Sequence, residues 1–421
     1  MPKLSACMIV KNEEQFIKGC LDNLKDLADE IIIVDTGSTD KTAEIIKQLS
    51  LKNIKLFNFE WQDDFAAARN FSLQHATGDY ILVLDADEQI AKEDHAKIRD
   101  LVTNKSYKDY IAFNLIQRSY TDDFSEEKWQ YRGDDTYKES RGYTGWRPSP
   151  LIRLFRNDSR IQFIGAIHEL VEYSVAKTDG KVLKTEIPIH HFKVARSKER
   201  VEQKLALYQK LCEKKVTDNP RSPKALFELG SLYRLHGKSM EAIALLAKCI
   251  ALQPKFAEAY HVMGEAFMQL EEYGSAIECY NKALESNKSM KDAHFSLGIC
   301  YTKMNKLADA AESFQRGLLI DGQNINALTN LGAVFEKLKL YDRALKSLLS
   351  AINLAPENAR AHFNLAVLYE KLGKPEKAII AYEKAAELNY KRKAEIFKRV
   401  EELKSGKKPE QMFSQSINTA D

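Results

Sequence analysis

The sequence predicts an α/β domain followed by an all-α solenoid, and two observations carry that prediction. Over the first 90 residues, short apolar runs alternate with amphipathic stretches in the order β-α-β-α-β-α-β. That order builds an open parallel sheet with helices on both faces. From residue 222 onward, small and aromatic residues recur every 34 positions, the period of a stacked helix pair.

The elements follow in turn. Residues 4–10, 31–34, 54–57 and 80–84 read as four strands. Between them, 12–28 carries Phe16, Ile17, Cys20, Leu21, Leu24 and Leu27 at helical spacing, and 39–49 and 63–76 are further helices. Asp35-Thr36-Gly37-Ser38 is a turn after the second strand. Ligands of such sheets bind at the carboxyl ends of the strands. Lys11-Asn12-Glu13, Asp35 and Asp85-Ala86-Asp87 all fall there. Two carboxylates one residue apart at a strand end can hold a hard divalent cation against the phosphates of a nucleotide. Residues 103–150 lose the alternation and are rich in Tyr, Asp, Arg and Gly, so they read as long functional loops. Strands are expected again at 151–156, 161–167 and 187–190.

Gly230, Gly264, Gly298, Gly332 and Ala366 form one series at the 34-residue period, and Ala242, Ala276, Ala310, Ala344 and Ala378 a second. Tyr233, Phe267, Tyr301, Phe335 and Tyr369 form a third. This is the signature of tetratricopeptide repeats, in which small residues let paired helices approach and aromatics fill the gap between them. The expected organisation is a first domain over 1–195, a linking helix over 196–221 and five repeats over 222–389. A capping helix over 390–404 and a disordered tail over 405–421 follow. A solenoid presents a concave surface. Phe227, His261, Phe295, Thr329 and Phe363, again 34 apart, are expected to line it as a seat for a peptide or protein acceptor; the alternative is that they pack between repeats. Arg234, Glu265 and Glu336 mix their charges, so a basic clamp for an acidic C-terminus is not expected.

Bulk properties exclude several classes. With 63 basic and 60 acidic side chains the chain is not a polyanion binder, and no nucleic-acid partner is expected. The six cysteines form no C-x-x-C and read as buried thiols of a reducing cytoplasm. No signal-peptide pattern and no run of about 18 apolar residues is seen, so a soluble cytoplasmic protein without a membrane span is expected. The phosphate-loop, dinucleotide and nucleophile-elbow motifs are absent, which disfavours kinase, dehydrogenase and hydrolase chemistry.

The N-terminal half resembles the family-two glycosyltransferases of GT-A fold. The motifs that carry the resemblance, in order, are Met8-Ile9-Val10-Lys11-Asn12-Glu13-Glu14, Ile33-Val34-Asp35-Thr36-Gly37-Ser38-Thr39-Asp40 and Asp64-Phe65-Ala66-Ala67-Ala68-Arg69-Asn70. Leu84-Asp85-Ala86-Asp87-Glu88, Arg153-Leu154-Phe155-Arg156-Asn157 and Ile167-His168-Glu169 complete the set. The fusion to repeats is similar to sublancin-type bacterial enzymes that place sugars on peptide cysteines or serines. The resemblance implies a Rossmann-like nucleotide-sugar domain that moves a hexose, from UDP-glucose or UDP-N-acetylglucosamine, to a Cys or Ser side chain, with inversion. It implies that Val10, Asn12, Glu13, Asp35, Arg69 and Asp85 line the UDP-sugar. Asp87 would hold Mg²⁺ or Mn²⁺, with His191 as a further ligand, although His191-Phe192-Lys193-Val194 departs from the usual His-x-Gly-Tyr. Glu169 would be the base, with His168 its rival. A cell-envelope glycan acceptor, a scaffold with a vestigial transferase half, and a homodimer stay open.

Overall fold

The computed structural model describes residues 1–421 apart from 50, 124–128, 134, 168, 193–197, 389, 391 and 406–421, and apart from the side chains of 198–204. The chain divides into two units, Met1–Leu211 and Cys212–Asp421.

The first unit opens with β1 (Leu4–Val10), α1 (Ile17–Leu24), β2 (Glu30–Asp35), α2 (Thr42–Gln48), β3 (Ile54–Asn58), α3 (Phe65–Gln74) and β4 (Tyr80–Val83). It continues with β5 (Glu88–Gln89), α4 (His95–Thr103), β6 (Tyr110–Thr121), β7 (Gln130–Tyr131), β8 (Gly145–Arg156), α5 (Glu172–Val175) and β9 (Lys181–His191). Among the described residues the strands form one nine-stranded sheet in the order β3-β2-β1-β4-β8-β6-β9-β5, with β7 paired to β8. The first four strands are parallel. β1, β2 and β4 are near-continuous apolar runs because strands inside such a sheet bury both faces: all six residues of β2 and all four of β4 are buried, whereas the edge strand β3 is only half-buried and carries Lys55. Alternation divides β1 between two cores. Ala6 and Met8 pack with Leu21, Leu24 and Ile98, and Cys7 packs with Ile32, Ala66 and Phe155. Parallel strands end at one edge, so the loops after β1, β2 and β4 meet there.

Three expectations need correction. The helix expected over 12–28 begins only at Ile17, because the preceding loop is tied down: the Glu13 N–H donates to Thr42 Oγ1 at 2.7 Å and Asn12 adopts φ 56°. Residues 103–150 contain the long strand β6 and the start of β8, two twelve-residue strands that pair antiparallel from Ala112 opposite Phe155 to Thr121 opposite Gly145, rather than loops alone. Residues 161–167 form no strand and share only a single bridge, Ile164 to Leu170. That segment is held by α3 instead: Asn70 Nδ2 donates to the Phe163 carbonyl at 3.0 Å, and the Phe163 N–H donates to Asn70 Oδ1 at 2.8 Å.

A long helix, α6 (Lys198–Asp218), runs from the first unit into the second. The second unit comprises α7 (Pro223–Leu235), α8 (Ser239–Leu252), α9 (Ala257–Gln269), α10 (Tyr273–Ser286), α11 (Lys291–Lys303) and α12 (Leu307–Ile320). Next come α13 (Ile325–Lys337), α14 (Tyr341–Leu354), α15 (Ala359–Lys371), α16 (Pro375–Glu387) and α17 (Lys393–Lys404). In the first four pairs the glycine of the first helix faces a bulky side chain 16 residues on. A Cβ on Gly264 would lie 2.6 Å from the Tyr280 ring, on Gly298 2.8 Å from Phe314, and on Gly332 2.6 Å from Leu348. Ala242, Ala276, Ala310, Ala344 and Ala378 are fully buried. The expected disordered tail lies, from residue 406, outside the described residues. No helix among the described residues is long and apolar enough to cross a membrane.

Candidate functional site

At the carboxyl edge of β1 and β2, two loops brace each other. Val10 is buried, and its carbonyl accepts from the Thr36 N–H at 3.0 Å. Asn12 Oδ1 accepts from the Thr39 N–H at 2.7 Å, and the Asn12 N–H donates to Ser38 Oγ at 3.0 Å. Asp35 Oδ1 accepts from the N–H groups of Gly37 and Ser38 at 3.0 and 2.8 Å, the hydrogen bonding of an Asx turn. Asn12 and one Asp35 oxygen therefore build the turn. Gly37, at φ 102°, supplies the backbone conformation that this turn requires.

Beside this edge, Arg69 joins two carboxylates. Its Nε donates to Glu169 Oε1 at 2.7 Å and its Nη2 to Asp85 Oδ1 at 2.8 Å. The guanidinium lies over the Phe163 ring, 5.4 Å from the centroid. Local sequence explains the placement. Asp64 caps α3 by accepting from the Ala67 N–H at 3.0 Å, which sets Arg69 on the second turn, and the neighbouring Asn70 fastens the 163–169 segment. The arginine is 8% exposed, and its remaining nitrogen, Nη1, is buried without a hydrogen-bond partner. Burial alone would raise the Asp85 carboxyl. Arg69 and Arg153 override it and hold that group well below the usual carboxylate range. His168 lies outside the described residues.

Asp87 and His191 meet on the other side of the Asp-x-Asp loop, with Asp87 Oδ2 3.4 Å from His191 Nε2. Ser119 Oγ lies 3.1 Å from His191 Nδ1 and fixes the ring from behind. His191 is within reach because β9 pairs with β5, placing it opposite Glu88. Burial alone would lower the His191 imidazole; Asp87, with Glu88 and Asp85 further off, overrides it and raises the group. The adjacent His190 does not take part: it is fully buried, with Nδ1 2.6 Å from Tyr120 Oη. A carboxylate oxygen and an imidazole nitrogen at this separation suit neighbouring positions on one divalent ion, with bonds of about 2.0–2.2 Å. No group of three or more His, Cys, Asp or Glu side chains capable of holding a metal occurs among the described residues. Two protein ligands with phosphates completing the shell is a usual arrangement for Mg²⁺.

Sequence reasoning missed the supports. Glu88 is fully buried beneath the loop. Its Oε2 accepts from the Asp85 N–H at 2.9 Å, and its Oε1 accepts from Arg153 Nη2 at 3.0 Å and from Gln117 Nε2. Burial raises its carboxyl even though Arg153 pulls the other way. The signal was present: Glu88 and Arg153 both stand inside quoted motifs. Gln117 and Ser119 lay in the region read as loops.

The expected acceptor row in the repeats is corrected. Phe363 and Thr329 are fully buried and Phe295 is 8% exposed. Phe363 sits between Tyr382 and Tyr390 at 5.6 and 4.9 Å, and Phe295 fills the space over Gly317. Phe227 and His261 are half-buried against Phe256 and Tyr280, at 4.9 and 5.4 Å. These side chains pack between helices, because each aromatic gains more from a dry contact than from a wet groove.

The parallel half-sheet brings its edge loops and the Asp-x-Asp cluster together at one carboxyl edge, as in open α/β domains. Residues 5–164 match the glycosyl transferase family 2 model, and 224–255, 261–324 and 323–391 match tetratricopeptide repeat models. The chain therefore carries a glycosyl transferase family 2 domain followed by tetratricopeptide repeats. It is 36% identical over 175 residues to a TPR repeat-containing protein of Synechococcus elongatus, covering 42% of this chain and 37% of that one. It is 28% identical over 261 residues to the SPbeta prophage-derived glycosyltransferase SunS of Bacillus subtilis, covering 62% of this chain and 56% of that one. The chain thus spans less than two thirds of the length of either relative. The repeats are also similar to the crystal structure of YrrB, a TPR protein with an unusual peptide-binding site. That match has 22% identity and a TM-score of 0.39, over 42% of this chain and 91% of that one.

Proposed function

We propose that this chain is a glycosyltransferase that moves a hexose from a UDP-sugar to a cysteine or serine side chain of a peptide or protein. One observation carries the reading. Arg69, held by Asp85 and Glu169, keeps a buried nitrogen without a partner at the sheet edge where Asp87 and His191 also converge. A buried guanidinium nitrogen is a donor awaiting an acceptor, and a diphosphate supplies one. Val10, Asn12, Glu13 and the free side of the Asp35 turn line the nucleoside. Asp87 and His191 hold Mn²⁺ or Mg²⁺, and an oxygen–nitrogen pair suits Mn²⁺ at least as well. The ion, when bound, offsets the charge that builds on the leaving diphosphate. Glu169 takes the proton of the acceptor thiol or hydroxyl. In this role it must exchange its bond to Arg69 for one to the acceptor, as Arg69 turns to the diphosphate. The repeats recruit the acceptor.

The fusion to repeats, in which the chain resembles the sublancin-type enzymes, supports a peptide acceptor over a cell-envelope glycan. The test is mass spectrometry of acceptor peptides after incubation with a panel of UDP-sugars and Mn²⁺ or Mg²⁺. A hexose-sized mass gain on Cys or Ser is expected; no gain with any donor overturns the reading.

A further inference from the structure

We propose that the first unit pairs with a second copy of this chain along the free edge of β9. Two antiparallel β9 strands, centred on Thr185 and its copy, join the two sheets into one. The inference is independent of what the site transfers.

β9 is an edge strand over most of its length. β6 takes one side of it, from Lys181 to His191. On the other side, among the described residues, β5 takes only His190 and His191. Residues 181–187 therefore present unpaired backbone groups, a template for another strand. Their side chains alternate. Val182, Lys184 and Glu186 are exposed, Leu183 and Thr185 are half-buried, and Ile187 is buried. The second set borders a groove that α4 closes from the other side with Ala96, Lys97, Asp100 and Leu101. Leu183 and Tyr107 form its half-open apolar rim against the main core. The free stretch has a definite end. The Ile187 N–H already donates to Thr185 Oγ1 at 3.3 Å, and Pro188 has no N–H to give.

The sequence of this edge is complementary to itself. Leu183-Lys184-Thr185-Glu186-Ile187 runs apolar, cation, hydroxyl, anion, apolar. Laid antiparallel on its copy with Thr185 at the centre, Lys184 stands opposite Glu186 of the second copy, and Glu186 opposite Lys184. Leu183 then meets Ile187, and Thr185 meets Thr185. Opposite charges, paired hydroxyls and paired apolar side chains are the favourable cross-strand combinations. Moving the centre one residue back, to Lys184, sets two lysines face to face, which is unfavourable. Among the described residues neither Lys184 nor Glu186 is in an ion pair, so both charges are available. The Thr185-centred register also keeps like faces together, so both copies of α4 lie on one side of the joined sheet. There Ala96 is small and exposed, and the exposed Lys97 and Asp100 again offer opposite charges across the twofold. A strand of another protein would meet the same backbone groups, but the reversal of charge about Thr185 favours the chain's own copy.

The test is sedimentation equilibrium of the full chain, from micromolar to submillimolar concentration, with neither donor nor acceptor present. A monomer–dimer equilibrium is expected. Lys184→Glu should weaken dimerisation at least about tenfold, because each dimer then holds two pairs of facing carboxylates. Glu186→Lys should do the same with two pairs of facing ammonium groups. The double swap, Lys184→Glu with Glu186→Lys, should return the affinity to within about threefold of the native chain. That recovery separates lost attraction from lost folding. Hydrogen exchange of the 181–187 amides should slow as the concentration rises. A chain that stays monomeric throughout overturns the proposal. So does a dimer that Lys184→Glu leaves intact, which places the interface elsewhere, or a double swap that binds no tighter than the single variants. Protection of 181–187 that appears only when a peptide is added gives the edge to another partner and overturns it as well.

Discussion

The two units solve the problem of close packing differently. In the repeats the close approaches within a helix pair are local: Gly298 meets Phe314 and Gly332 meets Leu348, each 16 residues apart. In the α/β unit the contacts that matter are remote. Arg69 and Glu169 are 100 residues apart, Arg153 and Glu88 are 65 apart, and Ser119 and His191 are 72 apart. The repeats spend their sequence on shape, and the α/β unit spends it on placing charge. Local complementarity tolerates change elsewhere, whereas a site assembled from distant strands depends on the register of the whole sheet.

Substitutions can break or sharpen this contrast. The largest effect is expected from Asp87→Ala, which should lower transfer by at least about 10³-fold with the fold retained, checked by turnover and circular dichroism. Glu169→Gln should lower turnover by about 10²-fold or more with donor affinity little changed. A normal turnover would assign the base elsewhere. Removing residues 222–421 should spare UDP-sugar binding, measured by calorimetry, while depressing peptide modification; an equal fall in both would make the repeats mere support. Gly298→Val should cost about 2–3 kcal/mol of stability through overpacking against Phe314 and leave donor binding untouched.

The smallest effect concerns pH. Burial would raise the Glu30 carboxyl, but bonds from Ser5 Oγ at 2.6 Å, from Thr77, and from Lys55 Nζ at 2.9 Å bring it down to about 2. A depressed carboxyl contributes stability that is complete above its ordinary value of 4.5 and lost as pH falls through about 2. Glu30→Gln should remove that acid slope, a change of about 1–2 kcal/mol once solvent screening is allowed for, seen as a flatter dependence of thermal midpoint on pH between 5 and 2.

What could be read from the sequence follows the same divide. The repeat register was plain because identical demands recur at a fixed spacing. Strands β1, β2 and β4 were plain because burial on both faces leaves nearly uninterrupted apolar runs. β6 was not: Asn114, Gln117, Arg118 and Ser119 interrupt it, and two of those polar residues support the site, Gln117 on Glu88 and Ser119 on His191. The 161–167 segment looked like a strand because Ile161 and Phe163 are buried, yet they pack against the sheet from a segment pinned by Asn70. In the repeats, periodicity located Phe295 and Phe363 correctly along the chain but could not say which side of the helix layer they face.

The 16-residue pairing of a small residue with a bulky one has a consequence for growth. Its members belong to the same helix pair, so a whole pair can be duplicated or excised without retuning the fit inside its neighbours. The repeat array is therefore a ruler whose length can be changed in single graduations, while the α/β unit keeps its chemistry untouched. Yet the graduations are not identical: Leu246, Tyr280, Phe314, Leu348 and Tyr382 differ in size. Each copy has been fitted to its own place, and shuffling their order should cost more than dropping one.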